Sequence, residues 1–155
     1  MQTFLPYPDF AQSAATLDRQ RLGKQRVECL QIMKTLLVGA GWQSHPAVKM
    51  WRGYELALLD YQLAMCDEWA VVREYEDTCA DKTIELLQNL GPFGSYQTVE
   101  EYLAGERVPS MPPWLGDPAL HESHRSRLMV KNFQHYGPLF AADTRRDLPY
   151  VWPVQ

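Results

Sequence analysis

Close cysteine pairs are missing from this chain. Cys29, Cys66 and Cys79 form an odd set with no CxxC among them, so neither a disulfide framework nor a thiolate zinc site is signalled, and a reducing, cytoplasmic setting is the simplest expectation. Long apolar runs are missing too: nowhere do about 18 apolar residues follow one another. The opening MQTFLPYPDF has no positive n-region and no apolar h-region, so no membrane partner and no signal peptide are expected. Positive charge is in deficit, with fifteen Lys and Arg against nineteen Asp and Glu and a formal net charge of −4, whereas a domain that coats nucleic acid evenly runs basic. Strand-like alternation is scarce, and no internal repeat or low-complexity tract occurs.

The 155 residues, 46% hydrophobic and 12% aromatic, suffice for one core and one domain spanning 1–155. Charge is unevenly spread. Residues 55–106 hold twelve acids against Arg73 and Lys82, while Arg19, Arg21, Lys24, Arg26 and Lys34 cluster before them and Arg125, Arg127 and Lys131 after. Packed side by side, the two basic segments would add their potentials over one face and hold a phosphate backbone; alternatively they neutralise the acidic middle.

The periodicity predicts an all-α fold, a compact helical bundle with a proline-rich loop and an irregular C-terminal tail. A first helix covers 12–38, with Leu17, Leu22, Val27, Leu30, Met33, Leu36 and Leu37 recurring mostly at three- to five-residue steps and Gly39 and Gly41 stopping it. Ser44 caps a second helix, with Pro46 in its first turn, that runs to about Arg73. A third spans Asp77 to Leu90 before Gly91-Pro92, and a short fourth spans Thr98 to Leu103. Gly105 to Pro118, with four prolines, is a surface loop. Asp117 caps a fifth helix over about 118–133, and Gly137-Pro138 closes the stretch after it; the tail DLPYVWPV is packed strapping.

Several side chains are candidates for chemistry. Glu28 is a lone helical carboxylate among bases; its ordinary reading is a solvated residue balancing adjacent arginines. His121 and His124 stand three apart, a metal-ligand spacing, but a third ligand is not signalled. No metal and no cofactor are therefore expected, and His124 is read as a hydrogen-bonding member of a polar cluster. His45, before Pro46, is either a polar site residue or a helix cap. Trp42, Trp51, Tyr54, Tyr61 and Trp69 are spaced as a core stripe, with Trp42 and Trp51 the candidates for stacking on an extruded base and Tyr136 and Trp152 for alternative wedges.

The segments LDRQRLGKQRVECLQIMK, GWQSHPAVKMW and SHRSRLMVKNFQHYGPLF, in that order, resemble the pyrimidine-dimer DNA glycosylase superfamily, small helical enzymes of endonuclease V type found in phages. Leu17, Asp18, Leu22, Glu28, Leu30, His45 and Pro46 fall where bacterial members carry an LD..L.....E.L helix and an HP helix start. Ser123, Arg127, Leu128, Lys131 and Tyr136-Gly137 look like the family's last helix and the aromatic run after it. The resemblance implies base excision: an amine attacks the deoxyribose C1′, a Schiff base forms, and a helical glutamate, here Glu28, assists glycosidic cleavage and β-elimination. An α-amine suits this chemistry because it loses its proton near pH ~8. Gln2 stands where the family exposes a small residue, which leaves the Met1 amine, or secondarily Lys24, as nucleophile. Val27 and Gln31 stand where the family has arginines, so phosphate contacts fall to Arg21, Lys24, Arg26, Arg125, Arg127 and Lys131, and the expected partner is double-stranded DNA with a damaged or modified base. Two other readings stay open: a noncatalytic nucleic-acid-binding module on the same scaffold, and a small-molecule or nucleotide enzyme using Glu28, His45 and His124.

Overall fold

Leu17 and Asp18 split the first predicted helix in two. In a computed structural model, which describes residues 1–39, 41–91 and 95–154, α1 (Phe10–Thr16) is capped by the Asp9 carboxylate, which accepts the Gln12 N–H at 2.8 Å, and α2 (Arg19–Val38) follows after two extended residues. The apolar period runs straight through Leu17, so local pattern does not reveal the break; distant groups create it. Arg73 donates to the Leu17 and Ala14 carbonyls at 2.7 and 3.3 Å, which satisfies oxygens that a helix end leaves free. The Asp18 N–H donates to the Tyr136 hydroxyl at 2.9 Å, and that hydroxyl donates back to the Asp18 carboxylate.

The second predicted helix is also divided. His45, not Ser44, caps the four-residue α3 (Pro46–Lys49), and Gly53 at φ +85° interrupts the chain in the left-handed region that favours glycine. After it come α4 (Glu55–Asp67) and a π-helical turn (Glu68–Val72) that continues it. That turn lays Trp69 across α2 at Gly23, where a Cβ would come within 3.2 Å of the indole. A glycine inside a helix costs about 1 kcal/mol, and here it admits a close aromatic contact.

The remaining helices are α5 (Cys79–Leu90), α6 (Ser95–Leu103), α7 (Pro118–Lys131) and α8 (Phe133–Phe140). Asp117 caps α7 as expected, its carboxylate accepting the Ala119 N–H at 3.1 Å. Gly137 and Pro138 do not close the segment; both lie inside α8, where the proline removes a single backbone bond and the glycine makes room for Phe133, whose ring lies 2.9 Å from where its Cβ would stand. Pro92, half of the predicted stop after the third helix, lies outside the described residues. Among the described residues there are eight α-helices and no strand, and no helix is long and apolar enough to cross a membrane. The fold is all-α.

The core contains Trp51, Tyr61, Tyr136 and Phe140, all fully buried. Burial overturns two aromatic expectations: Trp51 and Tyr136 have no surface with which to stack on a base. The core also contains the first residues of the chain. Thr3, Phe4, Leu5 and Pro6 are buried without belonging to any helix, so an extended strap threads the bundle. Removing the hydroxyl that ties α8 to the α1–α2 break, by Tyr136→Phe, is expected to lower unfolding stability by about 1 kcal/mol, the net worth of a hydrogen bond to a half-buried N–H; chemical denaturation of the two proteins measures it.

Candidate active site

An extended backbone buried in an all-helical protein has no sheet partner, so side chains must satisfy its polar groups. Gln25, on the buried face of α2, accepts the Phe4 N–H at 2.7 Å and donates to the Gln2 carbonyl at 3.0 Å. The Tyr61 hydroxyl of α4 donates to the Phe4 carbonyl at 2.7 Å, and the Trp51 indole donates to the Thr3 hydroxyl at 3.0 Å. From α7, Arg125 donates to the Pro6 carbonyl at 2.7 Å.

The two histidines three apart on α7 grip one residue of this strap. His124 Nδ1 accepts the Leu5 N–H at 2.9 Å, and His121 Nδ1 lies 2.8 Å from the Leu5 carbonyl. His121 Nε2 accepts the Gly116 N–H at 2.9 Å, so its proton is on Nδ1 and is donated to Leu5. The spacing that fits a metal is spent on both polar groups of one peptide residue. Both rings must be neutral for this, and their surroundings keep them so. Burial, then the neighbouring His121 ring, pulls His124 down to about 3 against the opposing Val151 backbone. Burial also lowers His121, with Arg125 adding to it and the Leu5 carbonyl and Asp117 opposing.

The strap delivers the Gln2 N–H to Glu28. Glu28 Oε2 accepts from Gln25 Nε2 at 2.9 Å and lies 3.3 Å from the Gln2 N–H; Lys24 Nζ stands 3.9 Å from Oε1. The carboxylate is largely buried, its side chain 15% exposed, in the wall of a hollow of about 60 Å³ whose other walls include Gln2, Phe4, Arg21, Lys24, Gln25 and Lys131. Arg21, Lys24 and Glu28 sit at helical spacings that share a face of α2, and Lys131 arrives from α7, so the two basic segments do meet. Arg21 is held by Asp18 at 3.1 Å. Lys131 makes no ion pair among the described residues; desolvation and the charges of Arg21, Arg127 and Lys24 lower its pKa, with Glu28 opposing. The half-buried Met1 packs against the core.

His45 caps α3 through Nδ1, which accepts the Ala47 N–H at 3.0 Å, and this fixes the neutral ring's proton on Nε2. Burial and the chain's amino-terminal charge lower its pKa, and Glu28 raises it, so amine, imidazole and carboxylate lie within electrostatic reach of one another. His45 and His124 both lie outside the walls of the hollow.

The other predicted contacts are placed elsewhere. Arg26, two residues beyond Lys24 and so on another side of α2, pairs with Asp77, and its guanidinium lies 4.2 Å from the Trp69 ring centroid; here the acidic middle segment does take up a base. Arg125 is committed to Pro6 and, at 3.2 Å, to Thr144. Arg127 remains exposed, 5.7 Å from the Tyr150 ring. Sequence reasoning missed Gln25. Its signal was available: a glutamine between Leu22 and Cys29 in the buried stripe of α2, one turn before Glu28.

Because both Leu5 clamps require neutral rings, stability is expected to fall with acid. Between pH ~6.5 and about 3 the unfolded chain binds a proton at His124 that the folded chain refuses, so the stabilisation is complete above pH ~6.5 and is lost downward by about 1.4 kcal/mol per pH unit. His121 acts with the same sign. Urea unfolding at pH 7, 6 and 5 measures the slope, and His124→Asn, which keeps an acceptor without a titrating group, flattens it by one proton.

The family profile for pyrimidine dimer DNA glycosylase matches residues 1–83, which include the strap, Gln25, Glu28 and His45. No curated protein and no solved structure matches the chain. With more than half of the sequence matched, and the strap and Glu28 inside that half, this protein belongs to the pyrimidine dimer DNA glycosylase family.

Proposed function

We propose that this protein, acting as one helical domain, is a DNA glycosylase that excises a damaged or modified base from duplex DNA through an amine and then cleaves the strand. The observation that carries the reading is Glu28: one of its oxygens is held by Gln25 and the Gln2 N–H, at the point where the buried strap brings Gln2, the neighbour of the first residue, to a hollow rimmed by Arg21, Lys24 and Lys131. A carboxylate one residue from the chain's first amine and among three cations fits a reaction in which positive charge develops on a sugar flanked by phosphates.

The Met1 amine attacks C1′, the N–C bond forms, and the glycosidic bond breaks with its electron pair leaving on the base. Glu28 takes the surplus proton from the nitrogen and returns it to O4′ as the ring opens, which leaves an iminium and a carboxylate. Glu28 then removes a proton from C2′ and the C3′–O bond breaks, releasing the 3′ phosphate; water hydrolyses the imine and frees the amine. His45, neutral with its proton on Nε2, donates a hydrogen bond to the departing base. Lys131, Arg21, Lys24 and Arg127 hold phosphates. Lys24 is the poorer nucleophile, because its side chain is 69% exposed and faces Glu28 as an ion pair. His124 and Arg125 position the strap, and Gln25 positions Glu28.

Borohydride reduction in the presence of duplexes with an abasic site or a pyrimidine dimer tests this. A covalent adduct is expected on the peptide that begins with Met1. Glu28→Gln is expected to slow adduct formation about 10²–10⁴-fold while duplex affinity holds or improves, and affinity should fall steeply with salt. Salt-dependent binding with no adduct and no cleavage on any damaged duplex would make the protein a binding module; no DNA affinity at all would leave a small-molecule enzyme.

A further inference from the structure

A row of rings runs beside the Glu28 corner from solvent to core. Trp42 is 68% exposed, while the other four tryptophans are buried or half-buried. Its indole meets the His45 imidazole edge-on, with centroids 6.3 Å apart and planes at 87°. Trp152 from the C-terminal tail meets the same imidazole at 5.9 Å and 89°. Trp152 leans on Tyr150 at 4.8 Å, and Tyr150 stacks on the buried His124 at 4.6 Å.

The backbone holds Trp42 outward. Gly39 and Gly41 both take φ +82°, the His45 N–H donates to the Trp42 carbonyl at 2.9 Å, and Arg52 donates to the Gln43 carbonyl at 3.2 Å. An indole left in water forgoes the gain from burying its apolar surface, so something that covers it recovers that gain. The charge around the row names the class of occupant. Arg127 lies over Tyr150, the amino terminus acts on His45, and Lys24 and Lys131 line the adjoining hollow. Flat aromatic faces bordered by cations complement a flat, uncharged base tethered to anionic phosphate.

We propose that Trp42, with His45 and Trp152, is the stacking site for a nucleobase turned out of the duplex while the sugar is presented to Glu28. The assignment rests on the reading that this corner acts on DNA. It gives the aromatic row a role of its own, since a base leaving the helix loses its stacking neighbours and an exposed indole replaces one of them.

Binding to a duplex with a tetrahydrofuran abasic-site analogue opposite 2-aminopurine separates this step from chemistry, since that analogue forms no imine. Wild-type protein is expected to bind it and to quench the 2-aminopurine by indole contact. Trp42→Ala is expected to weaken binding about ten-fold or more and to abolish the quench, with Trp42→Phe restoring most of the affinity; thermal melting of the variants should match wild type because the side chain is exposed. Trp42→Ala binding within two-fold of wild type, with the quench intact, overturns the stacking site and leaves the DNA reading standing if wild type still forms the borohydride adduct. Wild-type protein that binds no duplex overturns both.

Discussion

A peptide segment buried away from water must find a partner for every N–H and C=O, and in a protein built of helices those partners have to be side chains. Residues 2–6 impose this constraint on the whole molecule. Gln25 answers from α2, Tyr61 from α4, and His121, His124 and Arg125 from α7. Each bond contributes only about 1 kcal/mol net, yet leaving any one of the buried groups unmet costs more than the bond is worth. The strap therefore ties three helices, α2, α4 and α7, to one another through hydrogen bonds that have direction, which apolar packing lacks.

The same network sets the electrostatics of the Glu28 corner. Gln25 has its carbonyl oxygen on the strap, so its amide nitrogen is left to orient the carboxylate and the Gln2 carbonyl together. Glu28 is thus held from the buried side, while the cations gather on the other. Helical geometry sorts the bases: Arg21 and Lys24 share the face of Glu28, whereas Arg26 turns toward Asp77 and Trp69. An acidic protein can in this way carry a small cationic hollow, because the negative residues of the middle segment are partly met elsewhere, at Arg26 and at Arg73 beside Glu68.

Much of the architecture was legible in the sequence. The helical class, the α7 cap at Asp117, the proline-rich loop and the strapping role of the tail follow from period and punctuation. The two divided helices do not. Leu17 keeps the apolar period while the chain breaks there, because Arg73 and Tyr136 supply the missing bonds from 56 and 118 residues away. Glu28 and His45 were visible as residues, and the family resemblance singled them out. The partner of the His121 and His124 pair was not visible, since the spacing that suits a metal ion suits a single peptide group equally well. For His45 the sequence left cap and site residue open; the structure shows the cap, which leaves Nε2 to carry the proton of the neutral ring.

The bonds from the strap to α7 join residues 116 to 119 positions apart, an unusually long reach for a protein of helices, whose contacts are mostly local. During synthesis α1 to α6 can form and pack, and Gln25 and Tyr61 can meet the strap, while Leu5 and Pro6 still lack their clamps from α7. The ribosome must deliver α7 before Leu5 can be gripped from both sides. The corner around Glu28 is therefore completed only with α7, and a nascent chain that stops short of residue 131 holds its carboxylate beside Lys24 but without the wall that Lys131 supplies.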